Sequence, residues 1–314
     1  MQKVILTNQT NTSKLIYPSK KNKEDNKLAI VLTSGIHGNE TFTNDILRLF
    51  EQDIQKLWID FSDINIYIWT EINRYWNQNQ TRTNQNWIDL NRNFPIKFWS
   101  KKWFGIWQIF DKWFGIFTND SIEKEVSDYK DFFEKYIFAK YDKILLIDLH
   151  SAPFIKWPQI RLPGYKNLQK KIKLKNQIIK TFDNQEIQID RFIDNWWLKD
   201  NISQMYDRYQ SNFDKKFIVK FKQPAYSIQW DNINYLTVKN FIDYNKNFLW
   251  ICLEIWCLDW LFKNLLNHIN KKNISKNLFH AISNPPFEFQ EALKSEYVWY
   301  IKQIIENRKI YIKN

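Results

Sequence analysis

Glycine is scarce in this sequence. Five glycines stand among 314 residues, where average usage of ~7% would give about 22. No Gly-, Pro- or Ser-rich linker divides the chain, so its length reads as one domain, residues 1–314, with a helical tail from about 258 to 314. Cysteine is scarcer still. Cys252 and Cys257 are the only two, which excludes a disulfide framework, and both fall in one apolar stretch as expected of buried thiols. No apolar run reaches the roughly 18 residues of a membrane span. The N-terminus, MQKVILTNQTNTSK, lacks the basic start and apolar run of a signal peptide, so the expected compartment is the cytoplasm. Arginine-rich arms and nucleic-acid motifs are missing too. The net charge of +12 is spread along the chain and reads as a bias toward Lys, Asn and Ile. We therefore expect neither a nucleic-acid partner nor a membrane partner.

What is present is ordinary for a globular protein: 44% hydrophobic and 25% charged residues. Residues 28–34, LAIVLTS, and 143–149, KILLIDL, read as buried strands, and 63–69, DINIYIW, as an alternating one. Residues 216–222 and 248–255 are further strand candidates. Apolar spacing predicts helices over 40–57, 121–139, near 258–268 and near 287–307. Residues 71–95 read as a long polar loop and 160–200 as lysine-rich and irregular. KWFGI occurs at 102–106 and again at 112–116, which suggests a local aromatic lid. Strand–helix alternation predicts an α/β domain with a central mixed twisted sheet flanked by helices.

Histidine is also rare, with four copies, and two of them fall at strand ends. His37 and Glu40 sit three apart in Gly35-Ile36-His37-Gly38-Asn39-Glu40, just after the first strong strand. His150 ends the second. Open α/β sheets place ligands at the carboxyl ends of their strands. Zinc accepts imidazole nitrogen and carboxylate oxygen, and a catalytic zinc site takes three protein ligands plus water. His37, Glu40 and His150 are thus candidate zinc ligands. His268 and His280 have no acidic partner at ligand spacing. Glu254, a lone carboxylate in the apolar run 249–255, is costly to bury unless it works. Desolvation there would raise its pKa toward the range of a general base.

The order GIHGNE, then WIDLNRNFP, then DLHS, then LEIW resembles the zinc carboxypeptidase family, which includes the murein-peptide amidase and succinylglutamate desuccinylase/aspartoacylase branches. The similarity spans roughly residues 28–256, and the run Asp89-Leu90-Asn91-Arg92-Asn93-Phe94 is its most diagnostic piece. The resemblance implies a zinc-dependent hydrolase of peptide or amide bonds. It implies Glu254 as general base, Arg82 at the scissile carbonyl and oxyanion, and Asn91 and Arg92 on a substrate carboxylate. Asp89 would accept from the ring of His37. The implied substrate is a peptide or N-acyl amino acid with a free carboxylate. The family's active-site tyrosine would fall about twenty residues before the catalytic glutamate, where Tyr235 is nearest and Tyr226 the alternative.

Two departures bear on substrate and on chain chemistry. Asn39 stands where the carboxypeptidase branch often has arginine, as in the desuccinylase branch, so an N-acyl amino acid deacylase is the second expectation. A non-catalytic binding protein on the same fold is the third. Trp76, Trp87 and Trp256 stand where the resemblance expects glycine. The chain has 16 tryptophans, and tryptophan plus glycine number 21, close to an ordinary glycine content alone. A gene in which UGA encodes glycine, translated with UGA as tryptophan, accounts for all of this.

Overall fold

The computed structural model describes residues 4–7, 12–17, 28–57, 63–74, 81–98, 121–151, 159–161, 178–181, 186–188, 220–221, 232–254, 284–285, 287–306 and 308. The expected lid at 99–116, the helix near 258–268, Trp76, Trp256, Tyr226, Cys257, His268 and His280 lie outside them.

The strands are β1 (Val4–Thr7), β2 (Thr12–Tyr17), β3 (Leu28–Ser34), β4 (Ile64–Trp69), β5 (Ile96–Phe98), β6 (Lys143–His150), β7 (Gln159–Arg161), β8 (Ile178–Thr181), β9 (Glu186–Gln188), β10 (Lys220–Phe221) and β11 (Asn247–Glu254). The helices are α1 (Thr41–Asp53), α2 (Lys124–Phe132), α3 (Asn232–Lys239) and α4 (Phe287–Glu306). Eight strands form one sheet in the order β1-β2-β4-β3-β6-β11-β7-β10, and β5-β8-β9 form a second, antiparallel one. The middle four, β4-β3-β6-β11, run parallel. β2 and β7 join their neighbours β4 and β11 antiparallel, which makes the sheet mixed as expected.

Parallel strands covered on both faces are apolar on both faces, and the two faces here separate by parity. Leu28, Ile30, Leu32, Ile64, Ile66, Ile68, Leu145, Ile147, Leu149, Leu249, Ile251 and Leu253 pack toward α1 and α4. Ala29, Val31, Tyr67, Trp69, Ile144, Leu146, Phe248 and Cys252 pack with the α2 aromatics Tyr129 and Phe132 and with Leu236 of α3. Cys252 is buried.

Three expectations need adjustment. The helix expected over 40–57 tightens to a 3-10 turn at Ile54–Leu57, and that over 121–139 widens into a π-type turn at Phe133–Phe138. The segment 160–200 is not wholly irregular. β8 and β9 lie in it and pair with each other. Strands as short as Ile-Ile-Lys-Thr and Glu-Ile-Gln give too few apolar positions for a pattern to show.

Candidate metal centre

Parallel pairing brings the chemistry together at one edge. In register, Ser34 lies opposite Leu149, and His150 lies opposite Glu254. The C-terminal ends of β3, β6 and β11 are therefore level. From β3 the chain must turn sharply into α1, and Gly35 makes that turn at φ +73°. A Cβ there would sit 2.5 Å from Asn44 Oδ1 and 3.1 Å from the Glu71 Cα, so only glycine fits.

His37, Glu40 and His150 are buried together, and their ligand atoms all lie within 4.8 Å of one another. Both imidazoles turn Nδ1 to Glu40: His37 Nδ1 is 2.7 Å from Oε1, and His150 Nδ1 is 3.4 Å from Oε2. The Ser151 backbone N–H donates to Oε2 at 2.9 Å. Both imidazoles also turn Nε2 to a buried aspartate. His37 Nε2 is 3.3 Å from Asp89 Oδ1, and His150 Nε2 is 2.9 Å from Asp148 Oδ2. At His150, a hydrogen on Nε2 given to Asp148 leaves the Nδ1 lone pair facing its neighbours, which is how carboxylates orient ligating histidines. The donor set, two imidazole nitrogens and a carboxylate, is that of a catalytic zinc site. The residues therefore fit the metal.

Glu40 directly precedes α1 in the N-cap position, but its side chain makes no cap. Its carboxylate is committed to the histidines. Asn284, far along the chain, caps in its place. Its Oδ1 accepts from the Phe42 N–H at 2.8 Å, and its Nδ2 donates to the Asn39 carbonyl at 2.7 Å.

Charge follows the geometry. Burial raises the pKa of Glu40, but His37 and His150 outweigh it and hold the carboxyl well below its ordinary value. Asp89 is likewise raised by burial, yet held well below the carboxylate range by Arg82 and His37. Burial lowers His150, and Asp148 with Glu40 more than reverse this, raising it well above an ordinary imidazole.

Arg82 joins the cluster from the loop before Asp89. Its Nε donates to Asp89 Oδ2 at 2.9 Å, a terminal nitrogen lies 2.9 Å from His37 Nε2, and the other lies 3.8 Å from Glu40 Oε1. Asp89 caps a 3-10 turn at Leu90–Arg92 by accepting from the Asn91 N–H at 2.9 Å. That turn sets Asn91 and Arg92 beside it, and Arg92 donates to the Asn91 carbonyl at 2.8 Å. Buried Glu123 braces the loop, accepting from Asn84 and Asn86 at 2.8 and 2.7 Å. Within it, Trp87 adopts φ +62° and is 58% exposed. Of Glu254, the backbone register beside His150 is what the structure describes.

Tyr235 is placed differently from a substrate-binding tyrosine. It is buried against Phe94, its hydroxyl donates to Glu134, and Lys130 lies over its ring. It packs the α3–α2 contact. Among the described side chains of α3, Asn232 reaches the cluster: its Nδ2 donates to Asp148 at 2.9 Å. Asp148, Asn232 and Asn284 are the site residues that sequence reasoning missed. Asp148 carried a signal: positions i and i+2 of a strand share a face, so it stands beside His150.

Residues 2–155 match the family model described as zinc carboxypeptidase. No curated protein matches the sequence. Similar solved structures include bovine thrombin-activatable fibrinolysis inhibitor, at 14% identity over 98% of this chain and 89% of that one, with TM-score 0.52. Others are murein-tripeptide amidase from Escherichia coli O157, at 11% identity over 94% and 91% with TM-score 0.42, and a mutant of murine aminoacylase 3, at 12% over 89% and 64% with TM-score 0.43. The first of these likenesses carries the fold.

Proposed function

We propose that this chain, whose residues 2–155 match the zinc carboxypeptidase family model, is a zinc-dependent hydrolase of amide bonds in substrates that carry a free carboxylate. The observation that supports this most is the buried His37–Glu40–His150 cluster, with an aspartate behind each histidine. Those three residues would hold the metal. Bound zinc supplies Lewis acidity, lowering the pKa of a coordinated water and polarising a carbonyl.

The chain's own residues do the rest. Glu254, beside His150 in the register of β6 and β11, takes the proton of the attacking water and gives it to the leaving amine. Arg82, which lies on both His37 and Asp89, offers donors to the developing oxyanion. Asn91 and Arg92 grip the substrate carboxylate, the guanidinium matching its planar fork. With those donors fixed by the Leu90–Arg92 turn, the enzyme selects acyl compounds that end in a carboxylate. Among the described residues no helix is long and apolar enough to cross a membrane.

Purified protein is expected to bind one zinc, and His150→Ala to lose it. Glu254→Gln should keep the metal and lose turnover by a factor of about 10² or more. A panel of C-terminal peptides, murein peptides and N-acyl amino acids assigns the substrate, with a peptide carboxypeptidase activity expected and deacylation as the competing result. Full metal content in His150→Ala refutes the site.

A further inference from the structure

Behind the cluster, the polar network passes through one residue to which the proposed chemistry gives no part. Asn232 opens α3 and is 0% exposed. Its side-chain Nδ2 donates to Asp148 Oδ2 at 2.9 Å and lies 3.4 Å from the Tyr129 hydroxyl. Its Oδ1 accepts from the Ile233 N–H at 2.9 Å, and its backbone N–H donates to Asn91 Oδ1 at 3.0 Å. The oxygen of Asp148 that it meets is the one that His150 Nε2 approaches, also at 2.9 Å. The other oxygen, Oδ1, accepts from Thr33 Oγ1 at 2.5 Å.

Resting on the zinc-hydrolase reading, we propose that Asn232 is a positioning residue that sets the metal affinity of the centre by fixing Asp148, and through it the ring of His150. A carboxylate held at one oxygen can still rotate. Thr33 from β3 holds Oδ1, Asn232 from α3 holds Oδ2, and together they fix the plane in which Oδ2 meets the imidazole. Two further bonds, to Asn91 and Ile233, fix Asn232 in turn. Removing Nδ2 leaves a buried carboxylate anchored on the oxygen that His150 does not use. The partners behind ligating histidines are worth 10- to 100-fold in metal affinity, and Asn232 stands one bond further out, so about tenfold is expected.

The test is zinc binding by competition with a chromophoric chelator, alongside thermal unfolding in excess chelator. Asn232→Asp keeps the shape and sets a second carboxylate against Asp148. Asn232→Ser keeps a hydroxyl suited to a helix start but is too short to reach Asp148, which guards against loss of the fold. Both variants are expected to bind zinc about tenfold more weakly or worse. A residue that merely caps α3 would lower unfolding temperature and leave zinc affinity unchanged, and that result overturns the proposal. Wild-type protein that binds no zinc overturns the hydrolase reading itself. Wild type and Asn232→Ser binding equally tightly overturns only the role of Asn232.

Discussion

Trp87 is a place where the written sequence and the backbone disagree, and the disagreement is measurable. Its φ of +62° lies in the left-handed region, which costs a residue bearing a Cβ about 1–2 kcal/mol. Glycine escapes that cost but loses about 0.5–1 kcal/mol more chain entropy on folding. Comparing Trp87→Gly with Trp87→Ala cancels the loss of the half-exposed indole, which is common to both. The glycine variant should therefore be the more stable by about 0.5–1 kcal/mol. At Ser295, exposed within α4, the order must reverse, with alanine ahead of glycine by about 1 kcal/mol. Urea unfolding followed by circular dichroism reads both differences. An alanine variant at 87 as stable as the glycine variant refutes the strain argument. The gene gives an independent check: UGA codons at 76, 87 and 256 are expected, and UGG codons there rule out the coding explanation.

Two further outcomes follow from the site. Because His150 has a raised pKa, its contribution to stability is full below about 6.5 and fades as pH rises through the folded value. Zinc must displace that proton, so binding should tighten between about pH 6 and 8 and release protons, as measured by calorimetry in buffers of different ionisation enthalpy. Affinity that is flat across this range would refute the ligand role of His150. Gly35→Ala places a Cβ against Asn44 and the Glu71 backbone and should cost about 2 kcal/mol or more in urea unfolding. Wild-type stability in that variant would mean that the turn into α1 is not fixed by Gly35.

The centre of the fold was legible because its signals are local. Leu28–Ser34 and Lys143–His150 are continuous apolar runs, and buried parallel strands need nothing more to declare themselves. The three candidate ligands, with Arg82 and Asp89, were legible through motif order, and the structure brings all five within bonding distance of a neighbour in the set. Of the small strands, β10 falls within the strand expected over 216–222, while β1, β5, β7, β8 and β9 were not legible, since three or four residues carry no period. Tyr235 was misjudged because distance along the chain from Glu254 says which helix a residue is on, not which way it faces. Its neighbour Asn232, three positions earlier, takes the inward place.

What the sequence hid has one physical cause. A carboxylate drawn into a metal centre is withdrawn from the duties its position would otherwise give it, and another residue must take them over. Glu40 stands where a cap for α1 belongs, yet both its oxygens face histidines, so the helix start depends on Asn284, 242 residues from the Phe42 N–H that it caps. Asp148 sits inside an apolar strand, and burying its charge demands more donors than His150, its one partner within the strand, can supply. Thr33 and Asn232 supply them from 115 and 84 residues away. A composition count or a motif scan sees none of these partners, because nothing in their local sequence is unusual. They become predictable only once the centre is assumed and each buried polar group is asked where its hydrogen bonds go.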